Sequence, residues 1–122
     1  MARDLTDDER MVITRMLSLE GLRGGSELLP QVAHTRVAGG SVTSFNLEVE
    51  APAVVGVPDG ALAVQGDVYD PSAGVIGMIF LFVSGGRLDS MDYSWVTDDP
   101  PTAFPPASWV RVVAIPPPPR RD

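Results

Sequence analysis

The 122-residue sequence has no cysteine and no lysine, and it has a single histidine. Without cysteine there is no disulfide framework, no thiol nucleophile and no thiolate metal site. With His34 as the only imidazole, a serine triad or a zinc centre with several histidine ligands is close to excluded. His34 falls near the expected C-terminal end of a helix, where the helix dipole favours an imidazolium. We therefore expect no metal, no cofactor and a non-enzymatic protein.

Long apolar segments are also missing. The longest apolar run, Val75 to Val83, is far shorter than the ~20 residues that cross a bilayer, and it contains Gly77. The first nine residues hold no apolar stretch of the kind found in a signal peptide. A cytoplasmic location is the expectation. All nine basic residues are arginine, and alanine, glycine, proline and valine are abundant, a bias typical of a GC-rich bacterial genome.

Acidic residues outnumber basic ones by 16 to 9, which gives a formal net charge of −7. An acidic chain is repelled by phosphate backbones, so we expect neither nucleic-acid nor membrane partners. The length predicts a single domain over residues 1–115, followed by a proline-rich, disordered tail at 116–122. The tail contains the pattern P-x-x-P-x-R, which proline-binding modules recognise. A solubilising tail is the simpler interpretation.

Two helices are predicted near the N-terminus. Thr6 followed by Glu9 is a capping box, and apolar residues at helical spacing continue the helix to about Ser18. A second, short helix is predicted through Leu28, Leu29, Val32 and Ala33, with Pro30 limiting where it can begin.

The rest of the chain has the alternation of strands. Five segments are predicted to be strands, because their side chains alternate between apolar and polar or are apolar throughout, and the last segment is short. They are 45–49, 62–69, 75–83, 87–96 and 109–113. The prolines between Thr97 and Pro106 predict an extended loop. The fold class expected is α+β, with the two N-terminal helices packed on one face of a four- to five-stranded antiparallel meander. Sequential strand pairing is the simplest topology, with the place of the last strand left open.

Gly85-Gly86 predicts a two-residue primed turn, because both glycines accept positive φ angles. Ser84 then pairs with Arg87. Counting outward predicts that one face of the hairpin is core, with these pairs: Phe80 with Met91, Met78 with Tyr93, and Ile76 with Trp95.

The other face of the sheet then carries a row of apolar residues with acidic residues on both sides. This arrangement predicts a contact surface for a basic protein or for a second copy of the chain. The predicted interaction residues are Glu48, Glu50, Asp67, Tyr69, Ile79, Leu81, Val83, Leu88 and Asp92. The proline-rich loop, Trp109 or the tail could instead cover these apolar residues, which would then belong to the hydrophobic core.

Two alternatives involve small ligands. A pocket between helices and sheet could be lined by Trp95, Tyr93, Met91 and Phe80 and closed by the loop around Phe104. Carboxylate pairs, Asp98 with Asp99 or Asp67 with Asp70, could serve as acid and base or bind calcium, although adjacent aspartates usually belong to solvated loops.

Three segments carry a resemblance to a family of small uncharacterised bacterial proteins: Leu5 to Arg10, Ser41 to Leu47, and Gly86-Arg87-Leu88. Members often have cysteines before the first strand, whereas Val37 to Ser41 here contains none, so no metal or redox role is implied. In size and charge the chain also resembles immunity proteins that neutralise a toxin, which implies a basic toxin as partner.

Overall fold

An antiparallel sheet with helical segments on one face forms the protein in the computed structural model, which describes residues 2–115. The segment 116–122, with its expected tail and P-x-x-P-x-R pattern, lies outside the described residues. The strands are β1 (Arg3–Asp4), β2 (Thr35–Ser41), β3 (Ser44–Val49), β4 (Gly60–Asp70), β5 (Gly74–Ser84), β6 (Arg87–Trp95) and β7 (Val110–Ala114). The helices are α1 (Asp7–Leu17), α2 (Gly25–Leu28) and the 3-10 segments Leu29–His34 and Ala107–Trp109.

The capping box of α1 is confirmed. The Thr6 hydroxyl accepts from the Glu9 N–H at 3.1 Å, and the Glu9 carboxylate accepts from the Thr6 N–H at 2.8 Å. The helix ends at Leu17 with Ser18 as its C-cap, and its buried side chains pack on the sheet. The second helix is only four residues long and continues as 3-10 turns, because Pro30 has no N–H to donate. No helix in residues 2–115 is long and apolar enough to cross a membrane.

The strand order is β1-β2-β3-β6-β5-β4-β7. The predicted α+β class with an antiparallel sheet is confirmed, but the expected number of strands was too low. β1 and β2 were not anticipated, since β1 has two residues and β2 contains Gly39 and Gly40 without apolar alternation. The last strand takes the edge beside β4.

Sequential pairing is wrong at one step, because β3 pairs with β6 and not with β4. The connection 50–59 passes the turn of the β5–β6 hairpin and is bonded to it. The Val54 N–H donates to the Gly86 carbonyl at 2.8 Å, and Arg87 Nε donates to the Ala51 carbonyl at 2.8 Å. The connection therefore passes the ends of β6 and β5 before β4 begins, and these bonds hold it against the hairpin turn.

The two-residue turn at Gly85-Gly86 is confirmed, with φ angles of 59° and 76° and with Ser84 opposite Arg87. Beyond it the predicted register is wrong. Val83 pairs with Leu88, but Phe82 pairs with Ser90, so Asp89 is an extra residue in β6. Such a bulge shifts every later pair by one position.

The bulge exchanges the two faces of β5. Ile79, Leu81, Val83 and Leu88 are at most 2% exposed, so their predicted outward placement is wrong. Met91 and Tyr93 are buried as predicted, opposite Leu81 and Ile79. The larger side chains Met78, Phe80 and Phe82 alternate with the core residues of β5 and are only half-buried.

Gln31 explains why the hairpin begins with this register. Its side chain is buried, and its Nε2 donates to the carbonyls of Gly86 at 2.9 Å and Pro52 at 3.2 Å. Its Oε1 accepts from the Leu88 N–H at 3.1 Å. A buried amide with all these partners fixes the first residues of β6 against the helical layer.

The proline-rich loop crosses on the helical side of the sheet. Its Phe104 ring meets Phe45 edge-on, with centroids 6.2 Å apart, and the Asp8 carboxylate accepts from the Ala107 N–H at 2.9 Å. Arg15 of α1 also donates to the Ala107 carbonyl at 2.9 Å. The loop therefore packs on the core side, whereas Met78, Phe80 and Phe82 on the opposite side of the sheet stay half-buried.

Candidate protein-interaction face

The side of the sheet opposite the helices is called the open face. Its centre is formed by Met78, Phe80 and Phe82 of β5, which we call the apolar stripe. A solvated face of an antiparallel sheet normally carries polar residues, so three large apolar side chains in a row on an inner strand depart from the usual pattern.

Carboxylates lie on both sides of the apolar stripe. Asp92 of β6 is directly opposite Phe80, and Ser44 donates to its carboxylate at 2.8 Å. On the other side, Asp67 of β4 is opposite Met78 and accepts from Gln65 at 2.7 Å. The hydroxyl and amide donors that hold these two carboxylates are neutral, so they leave the negative charge in place beside the stripe.

Charge is balanced more closely in the outer strands of the open face. Arg111 of β7 is opposite Asp67, and its guanidinium lies over the Tyr69 ring at 5.0 Å from the centroid. At the other side of the sheet Arg36 is opposite Glu48. Asp92 lies beside the stripe, and its other cross-strand neighbour is Ser44 and not an arginine.

Exposed apolar residues continue beyond the stripe at the end of the hairpin that lies away from the turn. Val75 is 45% exposed, Trp95 41% and Val96 60%. A main-chain bond from the Val96 N–H to the Ile76 carbonyl, 2.9 Å long, holds this end closed. Trp95 is opposite Gly77 and alternates with Ser94, so it points to the helical side of the sheet, whereas Val96 follows on the side of the stripe.

Four of the predicted interaction residues share the open face with the stripe: Glu48, Asp67, Tyr69 and Asp92. Glu50 follows the end of β3 and lines a separate cleft with Pro30, His34 and Pro52. The residues that sequence reasoning missed are those of the stripe. The available signal was the spacing of Leu88 and Met91, which are three residues apart and cannot both be buried in a strand without a bulge.

The predicted ligand pocket does not form. Met91 and Tyr93 belong to the packed core, whereas Phe80 is on the open face and Trp95 is exposed at the hairpin end. Burial raises the pKa of the Tyr93 hydroxyl by desolvation. The four side chains therefore do not line one cavity.

Titratable groups are dispersed in the part of the chain that the structure describes. Within it, no three or more histidine, aspartate or glutamate side chains are grouped so that they could hold a metal ion. Asp70 caps a turn by accepting from the Ser72 N–H at 2.7 Å, and Asp98 and Asp99 are exposed. His34 ends its 3-10 segment and is also exposed.

No family model matches the chain, and neither a curated protein nor a solved structure matches it. The family resemblance of the sequence therefore stays a prediction, and function has to be argued from the surface itself.

Proposed function

We propose that this protein is a non-enzymatic interaction module that uses its open face to bind a basic partner protein. The observation that carries the proposal is the apolar stripe, whose three large side chains lie on an inner strand and are only half-buried by residues 2–115. Contiguous apolar surface rimmed by polar residues is characteristic of a docking site. Val96, which is bonded to Ile76 and is 60% exposed, extends the surface at one end.

Charge favours a basic partner over a second copy of the chain. Stacking two open faces would bring the Asp67 and Asp92 carboxylates of both copies into one interface, where like charges oppose association. The same carboxylates would attract lysine and arginine side chains. A net charge of −7 would speed the encounter at low ionic strength. A basic toxin, as the likeness to immunity proteins implies, has this chemistry.

Co-purification with the products of neighbouring genes tests the proposal. Tagged wild-type protein should retain a basic partner at low salt and release much of it at high salt. The Phe80→Asn variant should lose that partner, because the centre of the stripe becomes polar. Val55→Asn is the matched control, since Val55 is 96% exposed outside the sheet, and it should retain the partner.

Equal recovery of the partner by wild type and Phe80→Asn would contradict this function. So would a wild-type dimer in sizing chromatography that Phe80→Asn converts into a monomer, since the second copy would then be the occupant of the open face.

A further inference from the structure

The two edges of the sheet are protected to different degrees. β1 has only two residues, both charged, and Arg3 is held by Glu9 through two bonds of 2.8 and 2.9 Å. β7 is longer, with five residues of which three are valine and none proline, and its single charged residue is Arg111. Edge strands without such protection readily pair with another extended chain.

Main-chain groups of β7 point away from β4 at three positions. Ile115 donates to the Ala63 carbonyl of β4 at 3.1 Å, so alternation along the antiparallel ladder directs Val112 and Ala114 away from β4. Val110 also points outward, but its N–H donates to Ala107 and its carbonyl accepts from Arg15 at 3.2 Å. Among the described residues, β7 has no strand on this side.

A groove of about 550 Å³ lies along the same edge. Arg15, Ser18 and Leu19 line it on the side of α1, and Trp109, Arg111 and Val112 line it on the side of β7. An added strand lies about 4.8 Å from the strand with which it pairs, so it would lie in the mouth of this groove. Its alternate side chains would face Leu19 on one side and Arg111 on the other.

We propose that β7 is a strand-addition site for an extended acidic peptide segment of a partner protein. Val112 and Ala114 would exchange main-chain hydrogen bonds with the peptide, which is how peptides extend an open sheet edge. Both charged side chains of the groove, Arg15 and Arg111, are cations, so glutamate or aspartate on the peptide is favoured. This site goes beyond the open face and takes a partner of opposite charge.

The same cations disfavour a second copy of the chain at this edge. Pairing of β7 with β7 of another copy would gather Arg15 and Arg111 of both molecules around one groove. Positive charges brought so close together repel each other and oppose association.

The probe is a capped seven-residue peptide of alternating valine and glutamate, titrated into the full 122-residue chain with amide shifts recorded by NMR. We expect saturable shifts centred on Val112 and Ala114. A peptide with lysine in place of glutamate should bind at least threefold more weakly, about the change expected from one exposed ion pair. A glutamate peptide N-methylated at alternate residues should not bind, because it cannot donate to the strand.

Ala114→Pro should weaken the glutamate peptide about tenfold, since it removes an outward N–H and blocks pairing while the ladder to β4 is kept. The matched Ala114→Ser variant keeps the N–H and should bind as wild type does. Arg111→Gln should weaken binding about threefold, whereas Arg23→Gln, which removes the same charge at an exposed position elsewhere, should not.

Phe80→Asn should leave peptide affinity unchanged, which separates this site from the proposed function of the open face. Three results would overturn the strand-addition site: no shifts at millimolar peptide, equal affinity in Ala114→Pro, or equal binding of the lysine peptide at β7. A wild-type dimer that Ala114→Pro makes monomeric would also overturn it, in favour of a second copy.

Discussion

Leu81 lies directly opposite Met91 in the β5–β6 ladder, and both side chains are fully buried. In a regular ladder after the Gly85-Gly86 turn, Leu81 would instead be opposite Ser90. The extra residue Asp89 makes the difference. The bulge thus assigns one side of β5 to the core and the other to the open face, and it determines which substitutions the fold tolerates.

The two sides of β5 should respond differently to the same polar substitution. Leu81→Asn should cost about 3 kcal/mol or more of unfolding free energy, because it removes buried apolar contacts and buries an amide. Phe80→Asn should cost about 1 kcal/mol, because Phe80 is half-buried on the solvent side. Urea denaturation followed by circular dichroism measures both.

Equal destabilisation by Leu81→Asn and Phe80→Asn would mean that the open face is covered in solution. The proposed function would then lose its physical basis. Val55→Asn, at an exposed position, sets the baseline for a surface change.

The buried amide of Gln31 should be necessary for the start of β6. Gln31→Leu leaves the Leu88 N–H without its acceptor and removes the bond to the Gly86 carbonyl, so we expect a loss of about 1–3 kcal/mol. Hydrogen exchange should become faster at the Leu88 amide in particular. Gln65→Leu on the open face is the control and should change stability by less than about 1 kcal/mol. Unchanged protection of Leu88 would refute this role.

The two glycines of the turn should differ in their tolerance of asparagine. Both have positive φ, which asparagine adopts at modest cost. A Cβ on Gly85 would meet nothing within 4 Å, whereas one on Gly86 would lie 2.8 Å from the Val54 nitrogen and 3.1 Å from Ala53 Cβ. We therefore expect Gly85→Asn to cost less than about 1 kcal/mol and Gly86→Asn about 3 kcal/mol. Thermal melts of the pair would show it, and similar melting temperatures would contradict it.

Glu9 should make stability fall in acid. Burial alone would raise the pKa of its carboxyl, but bonds from Arg3 and Thr6 outweigh burial and hold the pKa below the ordinary 4.5. The unfolded chain therefore binds the proton first, and the unfolding free energy falls as pH drops through 4.5 towards the folded pKa. One such proton contributes a slope of at most about 1.4 kcal/mol per pH unit.

Glu9→Gln should flatten this dependence, as measured by urea titrations at a series of pH values between 6 and 3. The control is Glu27→Gln, which removes a carboxylate at an exposed position and should keep the wild-type slope. A Glu9→Gln variant with the wild-type slope would assign the acid sensitivity to other groups.

Local chemistry made several elements predictable. The Thr6 and Glu9 side chains bond to main-chain groups of their own first turn, so α1 could be located without knowledge of the rest of the fold. Alternating side chains located β3, β4 and β6, and paired glycines located the hairpin turn. β2 was not predicted, because its glycines interrupt the alternation of apolar and polar side chains. It forms through its pairing with β3.

The sequence by itself determined the α+β class, the capped first helix and the turn at Gly85-Gly86, because each depends on patterns of residues close together in the chain. Only the tertiary structure decided the bulge at Asp89, the pairing of β3 with β6 and the side of β5 that faces solvent. Those features depend on contacts between distant segments, such as Gln31 with Leu88 and Val54 with Gly86. A one-residue shift in a strand reverses every side chain, so a single long-range bond can decide which surface the protein presents.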